Sequence, residues 1–340
     1  MTSAGVRYNA SSSLLKRLNR SLLFMRALVS AGEGIGDIIR ITPLIRALNL
    51  LGFVVDVLLV PDYFETVGLL KGAPEIRSLF HVPSEWSKSR ECHLGDLNEQ
   101  YYDLAVFTTF TVHWKHLVRS RNYQVFKEEW SSQGPCQAAH EVAKTFGWSG
   151  PMPAPFAMAS RRDFQLAPGT LAIHPGCKPN WPWKKWHGFP QLAALFDNVA
   201  VIGTQSDTNA EGTYFARFPE WPPHVRMFVG ELSLLDTAAV ISQCSALISN
   251  DSGVMHLGVA LGRLTFGIFG ITNPSREAIP AVNMFPVSKS LECEPKCRSL
   301  PPGRRNCEFD LLCLRTLTPL EVMRRLCDHC PEIPRRQGIL

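Results

Sequence analysis

No apolar run in the sequence approaches the roughly 18 residues needed to cross a bilayer, so no membrane-spanning helix is predicted. Concentrated basic tracts are also missing. Lysine and arginine number 35 against 30 aspartates and glutamates, a net +5. That mild balance suits an anionic substrate and argues against a nucleic-acid partner. No internal repeat of solenoid length is visible. What remains is an ordinary soluble composition, 45% hydrophobic and 19% charged, on a chain of 340 residues that suits two domains. At the N-terminus Lys16, Arg17 and Arg20 precede an apolar stretch, and Val29, Ser30 and Ala31 resemble a signal-peptidase site. Arg26 interrupts that stretch, and cleavage there would fall just before the most motif-like part of the N-terminal half. Residues 1–20 therefore read as a basic extension, either a solvated tail or a contact for an anionic membrane surface. The chain reads as cytosolic, with 22–30 as its first strand.

The densest stretch lies at 246–262. Residues 246–249 read as a buried strand and 254–261 as a helix closed by Gly262, with the polar turn Asn250, Asp251, Ser252 and Gly253 between them. Such a strand–turn–helix offers free backbone N–H groups and a positive helix end to an anionic ligand, a diphosphate above all. The plain alternative is an Asx-type turn capping an ordinary helix. His256 falls on the first helical turn. Near the N-terminus, Gly32, Gly34 and Gly36 separate the first strand from a helix expected over 38–51 and closed by Gly52. The glycines resemble a dinucleotide fingerprint, but its third glycine is missing and no acidic residue clearly ends the next strand, 53–60. The loop does place Asp37 at a helix N-terminus, facing the crevice or capping the helix.

Strands are further expected at 76–82, 104–107, 171–174, 198–203, 225–229 and 264–270, and helices at 135–146, 189–197, 209–218 and 234–243. The segment 108–130, with His113, Trp114, Lys115, His116, Arg119 and Arg121, reads as a loop, either solvated or able to hold an anionic acceptor. Alternating strands and helices predict an α/β protein with parallel sheets. Proline and glycine gather between the halves, so two Rossmann-like domains are expected, 21–150 and 170–316, joined by a linker at 151–169. Thr318, Pro319 and Glu321 make a capping box opening a C-terminal helix within 317–330, and 331–340 reads as a frayed tail.

Taken in order, Gly34, Gly36 and Asp37 with Thr42 and Pro43, then His174, Pro175 and Gly176 with Lys184 and Trp186, the turn after Gly203, Asn250 to Gly253 with His256, and Phe269 with Gly270 resemble glycosyltransferase family 9. These are the ADP-heptose heptosyltransferases that build the inner core of lipopolysaccharide. The resemblance implies the GT-B architecture, two Rossmann-like domains facing across a cleft, with the acceptor on the N-terminal half and the nucleotide sugar on the C-terminal half. It implies an inverting transfer, most simply of heptose from ADP-heptose to a glycan or glycolipid, with no cofactor for catalysis. Asp37 matches the family's base and Lys184 its phosphate-contacting lysine, with Lys185 the alternative because the tryptophan-rich stretch 177–186 blurs the register. Asp251, Ser252, Gly253, Val254 and His256 match the segment that binds donor phosphates and sugar. Asp207 sits where relatives carry an acid for the ribose, and Thr272 is near enough to line the donor site. Another nucleotide sugar, a protein acceptor, or a non-catalytic binding subunit are the alternatives. Contact with the cytoplasmic membrane face fits the basic extension.

Ten cysteines need an explanation in such a chain. Cys293, Cys297, Cys307 and Cys313 form a compact group in the loop 293–313, which contains Pro301, Pro302 and Gly303. Four thiolates in this span suit a structural zinc or iron, though the spacing is not that of a standard finger; unligated thiols and disulfides are the alternatives. Some relatives in the resembled family bind iron through four cysteines. Cys92, Cys136, Cys177 and Cys244 read as small buried or loop residues.

Overall fold

The computed structural model describes residues 25–82, 93–126, 134–208, 220–293 and 307–336. The basic extension, Cys92, the helix expected at 209–218, Cys297, Pro301, Pro302 and Gly303 lie outside the described residues. Those described form two parallel sheets. The first contains β1 (Met25–Glu33), β2 (Phe53–Pro61), β3 (Ser78–His81), β4 (Tyr101–Phe107) and β5 (Arg119–Val125) in the order β3-β2-β1-β4-β5. The second contains β6 (Leu171–His174), β7 (Val199–Gly203), β8 (Arg226–Val229), β9 (Ala246–Asn250), β10 (Leu264–Ile268) and β11 (Met284–Val287) in the order β11-β10-β9-β6-β7-β8. Read from β8, this second order is that of a doubly wound dinucleotide-type sheet. In both sheets the winding reverses beside the first strand, at β1/β4 and at β6/β9. Crevices open at the carboxyl ends of strands at such switch points.

The central strands are apolar on both faces because helices cover both. In β1, Ala27, Leu28, Val29 and Ala31 are fully buried. The helices are α1 (Ile35–Arg40), α2 (Thr42–Leu50), α3 (Pro135–Thr145), α4 (Leu234–Gln243), α5 (Gly253–Ala260) and α6 (Pro319–His329), with short turns between. The helix expected over 38–51 is thus two helices, beginning three residues earlier. Pro43 is the reason, since it has no N–H to continue the ladder and its ring crowds the preceding turn. Thr42 relieves the break by donating its hydroxyl to the Ile39 carbonyl at 2.8 Å.

β5 and β11 escaped the sequence reading, and both are edge strands. β5 alternates exposed Arg119 and Arg121 with partly buried residues, and β11 contains Pro286, which an edge tolerates. The tail reading also needs correction. Over residues 331–336 the chain packs back on the second sheet: Ile333 is buried, and Arg335 bridges Phe196. The Asp197 N–H donates to the Pro334 carbonyl at 3.1 Å, and that of Arg336 to Leu195 at 3.0 Å. Residues 151–169 run without helix or strand from one sheet to the other, burying Phe156 and Phe164 on the way.

Beneath the first sheet, far from its carboxyl edge, lies a buried carboxylate. Asp56 accepts from Arg77 Nε at 2.8 Å, from Tyr102 Oη at 2.8 Å and from Arg26 Nη2 at 3.3 Å. The two halves are not independent. Ile39 and Leu69 of the first unit share an apolar cluster with Leu235, Val254 and Met255 of the second.

Candidate active site

The carboxyl ends of β6 and β9 lie side by side, His174 paired in register with Ser249. Asn250, the last residue of β9, stitches both ends of the tryptophan-rich loop to it. Its Nδ2 donates to the Pro175 carbonyl at 2.7 Å, and its Oδ1 accepts from the Trp186 N–H at 3.0 Å. The buried Trp186 indole in turn donates to the Leu317 carbonyl at 3.0 Å. His174 shares hydrogen bonds with the Ser249 and Ser252 hydroxyls at 3.1 and 3.3 Å. Ser252 precedes α5, yet its side chain makes no capping bond to that helix. The first amides of α5 therefore remain without a side-chain acceptor, which is the condition for binding an anion there.

Asp251 does not form an Asx turn either. It accepts from Lys184 Nζ at 2.6 Å, and the same ammonium lies 4.6 Å from the centre of the Trp181 ring. Burial raises the Asp251 carboxyl, but Lys184 outweighs it and leaves the carboxyl lowered. The two lysines of the loop part company here. Lys185 is buried and donates to the Ser206 carbonyl at 2.9 Å, bracing the turn after β7. In that turn Asp207 accepts from the Thr204 N–H at 2.7 Å and its hydroxyl at 2.9 Å, with His174 Nε2 3.9 Å away. Its second oxygen is free of these bonds.

Across the crevice, β1 delivers Asp37 on α1. One carboxylate oxygen accepts from the Gly34 N–H at 3.2 Å, so Asp37 does cap its helix, and the other accepts from Arg40 Nη2 at 2.5 Å. The two units meet at this point through glycines. A Cβ on Gly36 would lie 2.8 Å from His256 Cδ2, and one on Gly253 would lie 2.8 Å from Ile35 Cβ. Without side chains at either position, the starts of α1 and α5 come within contact distance. His256 is buried between them, its Nδ1 has no hydrogen-bond partner, and its pKa is pushed down to about 3, by burial first and then by Arg40. The ring is neutral at physiological pH.

Two further ion pairs at this junction have no counterpart in the sequence motifs. Arg40 bridges from Asp37 to Glu277 Oε2 at 3.1 Å, between residues 237 positions apart. Lys178 reaches across from the tryptophan-rich loop to Asp62 Oδ2 at 3.4 Å, its ammonium beside Gly34. Only Arg40 carried a signal, lying one helical turn from Asp37 on the same face.

The cysteines stand apart from this cluster. Burial raises the Cys313 thiol, and neighbouring Cys307 and Cys293 raise it further. Among the described residues, no three His, Cys, Asp or Glu side chains are grouped to hold a metal ion. Cys297 lies outside them. Cys244 is buried as expected, and Cys177 donates its thiol to the Trp181 carbonyl at 3.1 Å.

Two doubly wound sheets with their switch points turned to a shared polar junction define a two-domain α/β protein of the kind that holds ligands between its domains. The profile of Glycosyltransferase family 9 (heptosyltransferase) matches residues 116–302, more than half of the chain, and the chain belongs to that family. Lipopolysaccharide heptosyltransferase 2 of Salmonella typhimurium is 28% identical over 126 residues, which is 35% of this chain and 34% of that protein. The chain thus matches about a third of the length of that relative. Among solved structures, the glycosyl transferase family 9 protein of Veillonella parvula superposes with a TM-score of 0.66 at 15% identity, over 89% of this chain and 97% of that one. The ADP-heptose LPS heptosyltransferase II of E. coli superposes with a TM-score of 0.63 at 18% identity, over 89% and 98%. The architecture is GT-B.

Proposed function

We propose that the chain is an inverting, metal-independent glycosyltransferase that moves a heptose from ADP-heptose to a hydroxyl of a lipopolysaccharide-core or other glycan acceptor. One juxtaposition carries the reading: a carboxylate on the N-terminal half, Asp37, stands at the same junction as the uncapped N-terminus of α5 and Lys184. Family membership and the ADP-heptose named for the E. coli neighbour support the choice of donor.

In this mechanism the acceptor hydroxyl attacks the anomeric carbon from the face opposite the diphosphate, and Asp37 takes its proton as the new C–O bond forms. The bond to the diphosphate breaks, and its electron pair leaves with the phosphate oxygen. Lys184, exchanging Asp251 for phosphate, and the α5 amides meet that charge. Thr272, Ser252, Gly253 and Val254 line the donor, and neutral His256 offers its unpaired Nδ1 to a sugar hydroxyl. Asp207 keeps one oxygen for the ribose. Lys185 supports the loop and does not touch phosphate. Cys293, Cys297, Cys307 and Cys313 take no part in the transfer in this reading. No helix among the described residues is long and apolar enough to cross a membrane; the basic N-terminal residues supply the contact with an anionic membrane face in this reading.

Thermal denaturation of the full chain with ADP, UDP, GDP and NAD tests the donor. Stabilisation by ADP followed by ADP release from ADP-heptose supports the proposal. A shift with UDP or GDP alone points to another sugar nucleotide, and no shift with any of them to a non-catalytic role. Asp37→Asn is expected to abolish turnover while ADP still stabilises the protein; normal turnover would remove Asp37 from the mechanism.

A further inference from the structure

The base in this reading does not stand alone. Arg40 holds one oxygen of Asp37 at 2.5 Å and is itself held from the other half of the molecule, by Glu277 at 3.1 Å. Its Nε also donates to the Gly36 carbonyl at 3.3 Å, so the guanidinium is fixed on three sides. The Arg40 side chain is 11% exposed and that of Glu277 17%, so water competes weakly for either. Glu277 ends the short helical turn Pro274–Glu277, which opens with Asn273 accepting from the Ser275 N–H at 3.0 Å. That turn begins next to Thr272, on the donor-side sheet. It is also pressed against the N-terminal half at a second point: a Cβ on Gly134 would lie 2.1 Å from the Arg276 carbonyl oxygen, so only glycine fits. Arg276 pairs with Glu277 as well, limiting the freedom of its carboxylate.

We propose that Glu277 is a positioning residue that acts through Arg40 to orient the Asp37 carboxylate, so that the base is aligned only while the donor-side turn is docked on the acceptor-side half. This rests on Asp37 being the base. The argument is one of competing geometries. A guanidinium is a planar fork that pairs with a carboxylate most strongly through two parallel bonds. With Glu277 occupying Nη1, Arg40 reaches Asp37 through Nη2, and the second Asp37 oxygen stays on the Gly34 amide. Each oxygen then keeps a lone pair for an incoming proton. With Glu277 gone, the freed Nη1 closes on Asp37 as a fork, pulls the carboxylate off the Gly34 amide and covers the oxygen that should face the acceptor. Displacements of about 1 Å at a reacting group cost up to a hundredfold in rate.

Glu277→Leu, Glu277→Gln and Asp37→Asn, made in the full chain, test this with two readouts. The first is steady-state ADP release from ADP-heptose. Glu277→Leu is expected to lower kcat about tenfold or more, with KM for ADP-heptose and stabilisation by ADP within about twofold. Glu277→Gln, whose amide oxygen can still accept from Arg40, is expected to recover most of the loss. The second readout needs no turnover. Hydrogen exchange at the Gly34 amide, protected by Asp37, should quicken in Glu277→Leu but not in Glu277→Gln. Unchanged kcat and unchanged Gly34 exchange in Glu277→Leu overturn the proposal. So does a loss of ADP binding with kcat intact, which would make Glu277 a donor-site residue. Should Asp37→Asn turn over normally, the base reading itself fails, and the Gly34 exchange still decides whether Glu277 sets that carboxylate.

Discussion

Replacing Lys184 by alanine has a consequence that precedes any effect on catalysis, because it strands Asp251. The two side chains are 16% and 5% exposed and lie 2.6 Å apart. At that separation and an effective dielectric near 20 the gross attraction is about 6 kcal/mol, much of it offset by desolvation. Removing one partner of a buried pair costs about 3–5 kcal/mol. The space left by the lysine side chain admits water, so the lower end applies, about 3 kcal/mol. For a unit of this size, that is a drop in Tm of roughly 6–12 °C. The sign of the pH dependence identifies the cause. In the native protein Lys184 holds the Asp251 carboxyl below its ordinary value against burial, so its stabilising contribution is present at neutral pH and is lost as pH falls through that lowered value. In Lys184→Ala burial acts without the lysine, the carboxyl titrates higher, and protonation relieves the stranded charge. The deficit should therefore be largest near neutrality and narrow as the solution is acidified. Lys184→Ala with Asp251→Asn should recover much of the lost Tm at neutral pH without recovering ADP binding. Calorimetry of the three proteins across pH 4–7 decides it. A single variant that melts within about 2 °C of wild type at neutral pH, or a deficit that does not change with pH, refutes the reasoning.

Asp56→Ala removes a buried carboxylate from two arginines and Tyr102; a loss of about 3 kcal/mol in denaturant unfolding is expected, with ADP affinity unchanged because the network lies away from the carboxyl edge. Gly36→Ala pushes a methyl to 2.8 Å from His256, and about 1–3 kcal/mol of overpacking together with reduced ADP release is expected. Lys185→Met should lower Tm through loss of its bond to Ser206 yet leave stabilisation by ADP nearly intact, whereas Lys184→Met should abolish it.

Much of this organisation was legible because local chemistry and tertiary structure agree. Ser233 caps α4 by accepting from the Asp236 N–H, and Thr318 with Glu321 forms the capping box of α6. The buried strands announce themselves as short apolar runs. Errors fall where a sequence window contains no decisive signal. The pleat of β5 is masked by outward arginines, and the break before α2 depends on how Thr42 and Pro43 are accommodated. The 331–336 segment looks like a tail because its one deep anchor, Ile333, sits among charged and proline residues. Asp37, Lys184, Asp251 and His256, singled out through the family resemblance, do lie at the junction of the two sheets. Glu277 and Lys178 belong to the junction through contacts that no local pattern encodes. The different partners of the two lysines, Asp251 for Lys184 and the Ser206 carbonyl for Lys185, likewise appear only in three dimensions.

The strap at 331–336 also bears on how the protein is made. Every buried residue of the two apolar clusters around the first sheet lies between Ala27 and Phe156, whereas the cluster beside the second sheet is finished by Ile333. At translation rates of about 5–20 residues per second, the first unit has its whole core roughly 10–35 s before the second does. Throughout that interval Ile39 and Leu69, which end up sealed against the later half, face solvent on a nascent chain. The surface that becomes the junction between the halves is therefore one that a chaperone would have to cover during synthesis.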